Sequence, residues 1–240
     1  MKIVNLSFLC LFLLAFTCKE ENKEELENQL EAAIESSGGK TAEEWNGKLD
    51  QFFTLDIAAE ATGYQASEAT KDYNQVLKSP ETHSMQYKWD KGRIEVLDKI
   101  KNPINGKPME IPTNDYIEVS WVRTTTLEQF KHNYHTPTQE EVANASKAMN
   151  EKMQEMQSSG EVTADQANLA KEMATGLGEG LSFDEIPNLG TYSVWNNKDK
   201  NLKVFFNGLE FQVYANLGSE TKNKQACIKV AQLIINQQSK

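Results

Sequence analysis

Apolar residues fall along this chain in blocks of different spacing, and each spacing predicts a different element. From Ile3 to Phe16 they run almost unbroken for fourteen residues. Leu26, Leu30, Ala33 and Ile34 then recur at near-helical spacing in a charged setting that ends Ser36-Ser37-Gly38-Gly39-Lys40, which reads as a short helix and a flexible linker. Thr41 and Glu44 make a capping-box pattern ahead of Trp45, Leu49, Phe52 and Phe53. Thr54 can cap a second helix through Asp56 to Ala61, which Gly63 terminates. Strand-like runs follow at His83 to Trp89, Arg93 to Ile100 and Tyr116 to Thr126, with Pro103, Pro108 and Pro112 setting a long loop before the last.

The second half repeats the succession. Thr138 and Glu141 open a helix to about Gln157, and Thr163 and Gln166 open another to Thr175. After Gly176-Leu177-Gly178-Glu179-Gly180 the period shortens to that of strands at Thr191 to Trp195, Leu202 to Asn207 and Leu209 to Leu217, with Asn207-Gly208 as a strong hairpin signal. Ser219 or Thr221 can start a terminal helix that buries Ala226, Ile228, Val230, Leu233 and Ile234. Tyr87-Lys88-Trp89-Asp90-Lys91-Gly92 and Tyr192-Ser193-Val194-Trp195-Asn196-Asn197-Lys198 each set a Trp near the end of an analogous strand. The expected fold class is α+β, an antiparallel sheet packed with helices, forming a globular domain over 41–240 whose order allows two pseudo-repeated halves, 41–158 and 161–240.

The first apolar run is shorter than the roughly 17–25 residues a spanning helix needs. With Lys2 before it and Ala15-Phe16-Thr17-Cys18 at its end, it resembles a bacterial lipoprotein signal of the relaxed Bacteroidetes type. The resemblance implies a signal peptide over 1–17, acyl chains such as palmitate on Cys18 and an acidic tether over 18–40. Lys19-Glu20-Glu21-Asn22-Lys23-Glu24-Glu25 is similar to the signal that sends such lipoproteins to the outer face of the outer membrane. The ordinary alternatives are a secretory signal without lipid and a merely solvated tether.

Composition narrows the partners. Asp and Glu number 35 against 25 Lys and Arg, a formal net charge of −10, which disfavours nucleic acid and anionic lipid headgroups because both need a basic footprint. Membrane attachment is therefore expected through the acyl chains. Of the 3 cysteines, Cys10 lies in the signal and Cys18 would carry lipid, so Cys227 is alone in the mature fold and no intramolecular disulfide can form. Its apolar-periodic surroundings predict a small buried residue, and metal sites built on cysteine clusters are excluded.

A further resemblance rests on Phe52-Phe53-Thr54-Leu55-Asp56-Ile57-Ala58-Ala59-Glu60, Thr62-Gly63 and Tyr87-Lys88-Trp89, then Gly176-Leu177-Gly178-Glu179, Trp195, Leu202-Lys203-Val204 and the closing helix. These stretches are similar to a family of small actinobacterial lipoproteins related to the extracellular sensor domain of a serine/threonine kinase. The resemblance implies a non-enzymatic binding or sensing module.

The candidate chemistry is sparse. His132 and His135 with Glu140 have a metal-like spacing but no third well-spaced ligand, and Pro137 disfavours helical geometry just before it, so a surface loop is expected and no metal. His83, alone in a strand-like run, reads as a surface or satisfied histidine. Gly39-Lys40-Thr41 lacks the glycine five residues before Gly39 that a phosphate loop needs, since Ile34 stands there. Asn197-Lys198-Asp199-Lys200-Asn201 resembles the start of a calcium loop, but Leu202 occupies the required glycine position, so a hairpin turn is expected. Met149, Met153 and Met156, extended by Val142 and Ala145, form a stripe that would be core if buried and a docking face if exposed. No catalytic residue and no cofactor emerges. The expectation is a non-enzymatic module binding a small ligand or an envelope protein, with Trp89, Trp121 and Trp195 as candidate ligand-binding residues in a cleft between half-sheets. A structural or assembly lipoprotein is the alternative, and a hydrolase with a spatially assembled site the third.

Overall fold

A computed structural model describes residues 42–170 and 181–239. The predicted signal, tether, lipidation site, Gly39-Lys40-Thr41 and the Gly176–Gly180 turn lie outside the described residues.

Helices start where the capping chemistry places them. A 3-10 turn at Ala42–Trp45 leads to α1 (Leu49–Phe52), interrupted from it by Gly47 at φ 71°, so the single helix expected there is broken in two. In α2 (Leu55–Thr62) the Thr54 hydroxyl accepts from Ile57 N–H at 3.3 Å, and Gly63 in the left-handed region ends the helix. A short helix absent from the sequence prediction, α3 (Leu127–Asn133), is capped by Thr126. The reciprocal Thr138–Glu141 capping box opens α4 (Gln139–Ser158), and Thr163 and Gln166 repeat the device before a helical stretch described as far as 170. Ser219 caps α5 (Glu220–Gln238). Among the described residues, no helix is long and apolar enough to cross a membrane.

The strands are β1 (Thr70–Asn74), β2 (Ser84–Lys101), β3 (Pro108–Thr124), β4 (Phe183–Glu185), β5 (Tyr192–Asn196), β6 (Asn201–Phe206) and β7 (Leu209–Asn216). They form one antiparallel sheet in the order β1-β2-β3-β7-β6-β5-β4, so the strands of the two expected halves meet where β3 pairs with β7. Asn207 and Gly208, at φ 48° and 78°, make the predicted β6–β7 turn. The class is α+β, as the sequence predicts. Two expectations about the strands need correction. The runs ending at Trp89 and Ile100 are one strand, β2, and Pro108 and Pro112 lie within β3 and not in a loop, with Pro112 opposite Ile94.

One face of the sheet carries the core. The row Met85, Val119, Val213, Leu202 and Trp195 runs across five strands in register, and α1, α2 and α5 close over it. Phe52 packs between Trp45 and Phe211, and Cys227, Val230, Ala231 and Ile234 line α5, with Cys227 fully buried and its thiol pushed up by that burial. Gly190, at φ 64°, lies so close to β6 that an added Cβ would stand 2.8 Å from the Phe205 carbonyl oxygen. Gly190→Ala is therefore expected to cost roughly 2–3 kcal/mol in chemical denaturation, because both the backbone angle and the contact oppose it. A loss within the scatter of surface alanine variants would show that the turn relaxes freely.

Candidate functional site

The opposite face of the sheet carries a smaller apolar cluster and a set of polar side chains, and its most enclosed part is built from four elements. Alternation along β6 and β7 puts Lys203, Glu210 and Gln212 on this face, with Lys203 directly opposite Gln212. Arg123 reaches it only through a bulge. Between Ser120 and Arg123, β3 spends one residue more than β7, and Trp121 sits in that bulge at φ 54°. The extra residue reverses the alternation, so Val122 turns into the core and Arg123 comes opposite Glu210. A bulky residue in the left-handed region is a genuine outlier.

From above, α3 completes the enclosure. Its buried Phe130 packs on Val194 and Phe205, and Tyr134, just beyond the helix, lays its ring 4.9 Å from Phe130 and 6.0 Å from Phe183. That packing aims the Tyr134 hydroxyl at Glu210 Oε1, to which it donates at 2.5 Å, while Arg123 Nη2 donates to the Tyr134 oxygen at 3.2 Å. Arg123 Nε stands 3.0 Å from Glu210 Oε2, an ion pair held by charge without an aligned hydrogen bond. Lys203 Nζ donates to Gln212 and lies 5.0 Å from the Tyr134 ring centre.

Glu210 is 1 % exposed, so its charge must be met inside the protein. Burial, followed by the charge and hydrogen bond of Glu210, pushes the Tyr134 hydroxyl up. Burial also brings Lys203 down from 10.5 to about 8, with Arg123 adding to the fall and Glu210 opposing it. Between about pH 8 and 10.5 the unfolded chain then holds a proton on Lys203 that the folded one lacks, so this residue makes stability rise with pH in that window and costs stability below it. Lys203→Met should remove a rise of up to about 1.4 kcal/mol per pH unit. Urea midpoints at pH 8 and pH 9.5 test this, and an unchanged difference in the variant would contradict it.

Arg123 also belongs to an open groove of about 570 Å³ lined by Ala42, Glu43, Ser79, Glu81, Val122, Thr124, Thr125, Gln129 and Asn133. Its walls set hydroxyls, amides and carboxylates among apolar surface that includes Ala42 and Val122. Ser79 Oγ donates to Glu81 at 3.2 Å within the loop that opens the groove. The groove can therefore offer a ligand donors and acceptors beside a guanidinium fixed from beneath.

The three candidate tryptophans do not share a cleft. Trp89 and Trp195 are fully buried in the core, whereas Trp121 is 44 % exposed on the bulge next to Arg123. His135 Nε2 donates to the Glu141 carboxylate at 2.9 Å and its Nδ1 contacts the His132 carbonyl, with His132 in α3; the Glu141 carboxyl is held down to about 2 by the Thr138 backbone N–H first, then the Thr138 hydroxyl and His135. His83 is buried and bonded to the Leu77 carbonyl at 2.8 Å. The Asn197–Asn201 segment is the β5–β6 turn, in which Asn196 Oδ1 accepts from the N–H groups of Lys198 and Asp199. Among the described residues no group of three or more His, Cys, Asp and Glu could hold a metal ion. In the methionine stripe Met153 is buried and Met149 and Met156 half-buried, while Val142 is exposed.

Comparison with known protein families, curated proteins and solved structures finds no match to this chain.

Proposed function

We propose that this protein is a lipid-anchored extracytoplasmic lipoprotein of the outer membrane, attached through acyl chains on Cys18, that binds a small polar ligand without chemistry of its own. The N-terminal pattern supports the compartment and the anchor. The binding function is carried by one observation: the groove, lined by Val122 and Arg123 directly after exposed Trp121 in β3, presents an arginine oriented by a buried carboxylate and a tyrosine hydroxyl. Preorganisation of that kind lowers the ordering cost a ligand must meet. The burial of Met153 removes the centre of the docking face that an assembly role would use.

Purification from membranes with the Cys18 anchor intact, followed by mass spectrometry of everything retained, tests the reading. A stoichiometric small molecule that is lost in Trp121→Gly is the expected result. Glycine suits the left-handed angle, so this variant should keep stability within about 1 kcal/mol of the parent. A stoichiometric protein retained by parent and variant alike would favour the scaffold instead. Conversion of Cys18→Ala is expected to abolish acylation and release the chain from membranes; unchanged partition would refute the anchor.

A further inference from the structure

β2 and β3 outrun the sheet that holds them. β2 has 18 residues, about 60 Å at the strand rise, yet β1 pairs only with Ser84–Lys88, and β7 meets β3 only from Tyr116 onward. The remainder is a two-stranded arm. Its root is fixed by Asp115, which is buried and accepts from Arg93 Nε at 2.6 Å and from the Tyr64 hydroxyl at 2.5 Å, while Arg93 Nη2 also reaches the Asn216 carbonyl and side chain. Ile94 and Val96 on one face of the arm, and Ile100 beyond a register irregularity, are each about half exposed, and at the tip Ile104 is 92 % exposed.

The tip is a built turn. Asn102 N–H donates to the Lys107 carbonyl and Gly106 N–H to the Asn102 carbonyl; the side chains of Asn102 and Asn105 accept from Ile104 N–H and Lys107 N–H. Pro103 and Pro108 have no N–H to satisfy. Bonding the N–H groups of Asn102, Ile104, Gly106 and Lys107 inside the turn lowers the cost at which it leaves water.

Its charge runs against that of the whole chain. From Lys99 to Met109 there are three lysines, Lys99, Lys101 and Lys107, and no acidic residue; Asp98 and Glu110 flank this stretch on the side of the body. All three lysines are exposed, and none forms an ion pair among the described residues.

We propose that the β2–β3 hairpin tip is a second membrane contact, which inserts Ile104, with Ile100 behind it, into an anionic lipid surface while Lys99, Lys101 and Lys107 meet the headgroups. A convex turn offers far less than the roughly 800 Å² per partner of a standard protein interface. A fluid interface has no such requirement, and lysine stems can lie along apolar surface with their ammonium groups in the headgroup layer. The overall acidic balance, which disfavours anionic lipid for the body, is locally reversed at the tip. The inference deepens the proposed membrane location but does not depend on acylation. A chain held by acyl groups would meet the surface at high effective concentration, so a weak tip contact suffices to orient the groove.

The test places a reporter at the tip. The full chain carrying Ile104→Trp is mixed with phosphatidylglycerol or phosphatidylcholine vesicles, and its emission is compared with that of the parent chain. A blue shift and quenching by brominated acyl chains with phosphatidylglycerol are expected, falling about fivefold in partition for each lysine converted to glutamine. Water-like emission with both lipids overturns the proposal. An equal response to phosphatidylcholine overturns the assignment to an anionic surface, and a concentration-dependent blue shift without lipid would assign the tip to a second copy of the chain. Because the reporter reads insertion at residue 104, loss of the acyl anchor in Cys18→Ala would leave its response intact, so failure of the anchor and failure of the tip are separable.

Discussion

Glu210→Ala should destabilise the protein by about 3–5 kcal/mol, the cost of leaving a buried charge pair with one member. The carboxylate is 1 % exposed and serves two partners, the Tyr134 hydroxyl at 2.5 Å and Arg123 Nε at 3.0 Å. Alanine would leave the hydroxyl without its acceptor, and would leave Arg123 with the Tyr134 oxygen and the solvent that reaches a side chain 31 % exposed, which places the effect toward the lower end of that range. Glu210→Gln keeps an acceptor for Tyr134 and loses the charge, so an intermediate loss is expected. In the double variant Glu210→Ala/Arg123→Met both charges leave together, and the loss should fall at least about 1 kcal/mol short of the sum of the single losses. Urea unfolding followed by circular dichroism supplies all four values. Additivity within about 0.5 kcal/mol would show that Arg123 and Glu210 do not form an energetic unit, and would remove the reason for treating Arg123 as a prepositioned group in the groove.

How much of this arrangement can be read from residues alone depends on whether the signal is local. Thr54, Thr138 with Glu141, Thr163 with Gln166, Ser219 and Asn207-Gly208 act through hydrogen bonds or backbone angles a few residues away, and each performs the predicted role. β1 and β4 carry no comparable signal. Thr70–Asn74 has little apolar alternation and becomes a strand because the edge of β2 supplies its partners, as β5 does for Phe183–Glu185. The missed helix α3 did have a cue, the Thr126 cap ahead of Phe130, but it is short and has a single buried anchor. Pro108 and Pro112 suggest a loop by type, yet proline is tolerated in a strand that has water, not another strand, on its far side.

The site was half legible for the same reason. Lys203, Glu210 and Gln212 are the polar members of otherwise apolar strands, so period-two reading places them on one face. Arg123 was out of reach. It joins them because the bulge at Trp121 shifts the register, and the left-handed position is filled by a tryptophan where glycine would have announced it. By residue type Trp121 reads as an aromatic and not as a backbone device, and Trp89 and Trp195 are identical to it in type but opposite in burial.

That difference in burial leads to the second large effect: Trp89→Ala is expected to cost about 3–5 kcal/mol, whereas truncating exposed Trp121 should leave stability nearly unchanged. Trp89 has no exposed surface, packs its ring 5.5 Å from Tyr64 and donates Nε1–H to the Gln65 carbonyl at 2.9 Å. Trp195 is equally buried, but its Nε1 has no hydrogen-bond partner among the described residues. Replacement by Phe separates packing from hydrogen bonding: Trp89→Phe should be worse than Trp195→Phe by about 1 kcal/mol, since only the first breaks a bond. The loss at Trp89 should also reach the arm. Tyr64 is braced by Trp89 and bonds Asp115, and Asp115 holds Arg93 at the arm's root, so in Trp89→Ala the amides of the arm beyond Arg93 should exchange faster relative to those of β6 than they do in the parent. If hydrogen exchange accelerates uniformly over the whole sheet, the root is not a separate unit, and the arm's orientation is set by the sheet alone.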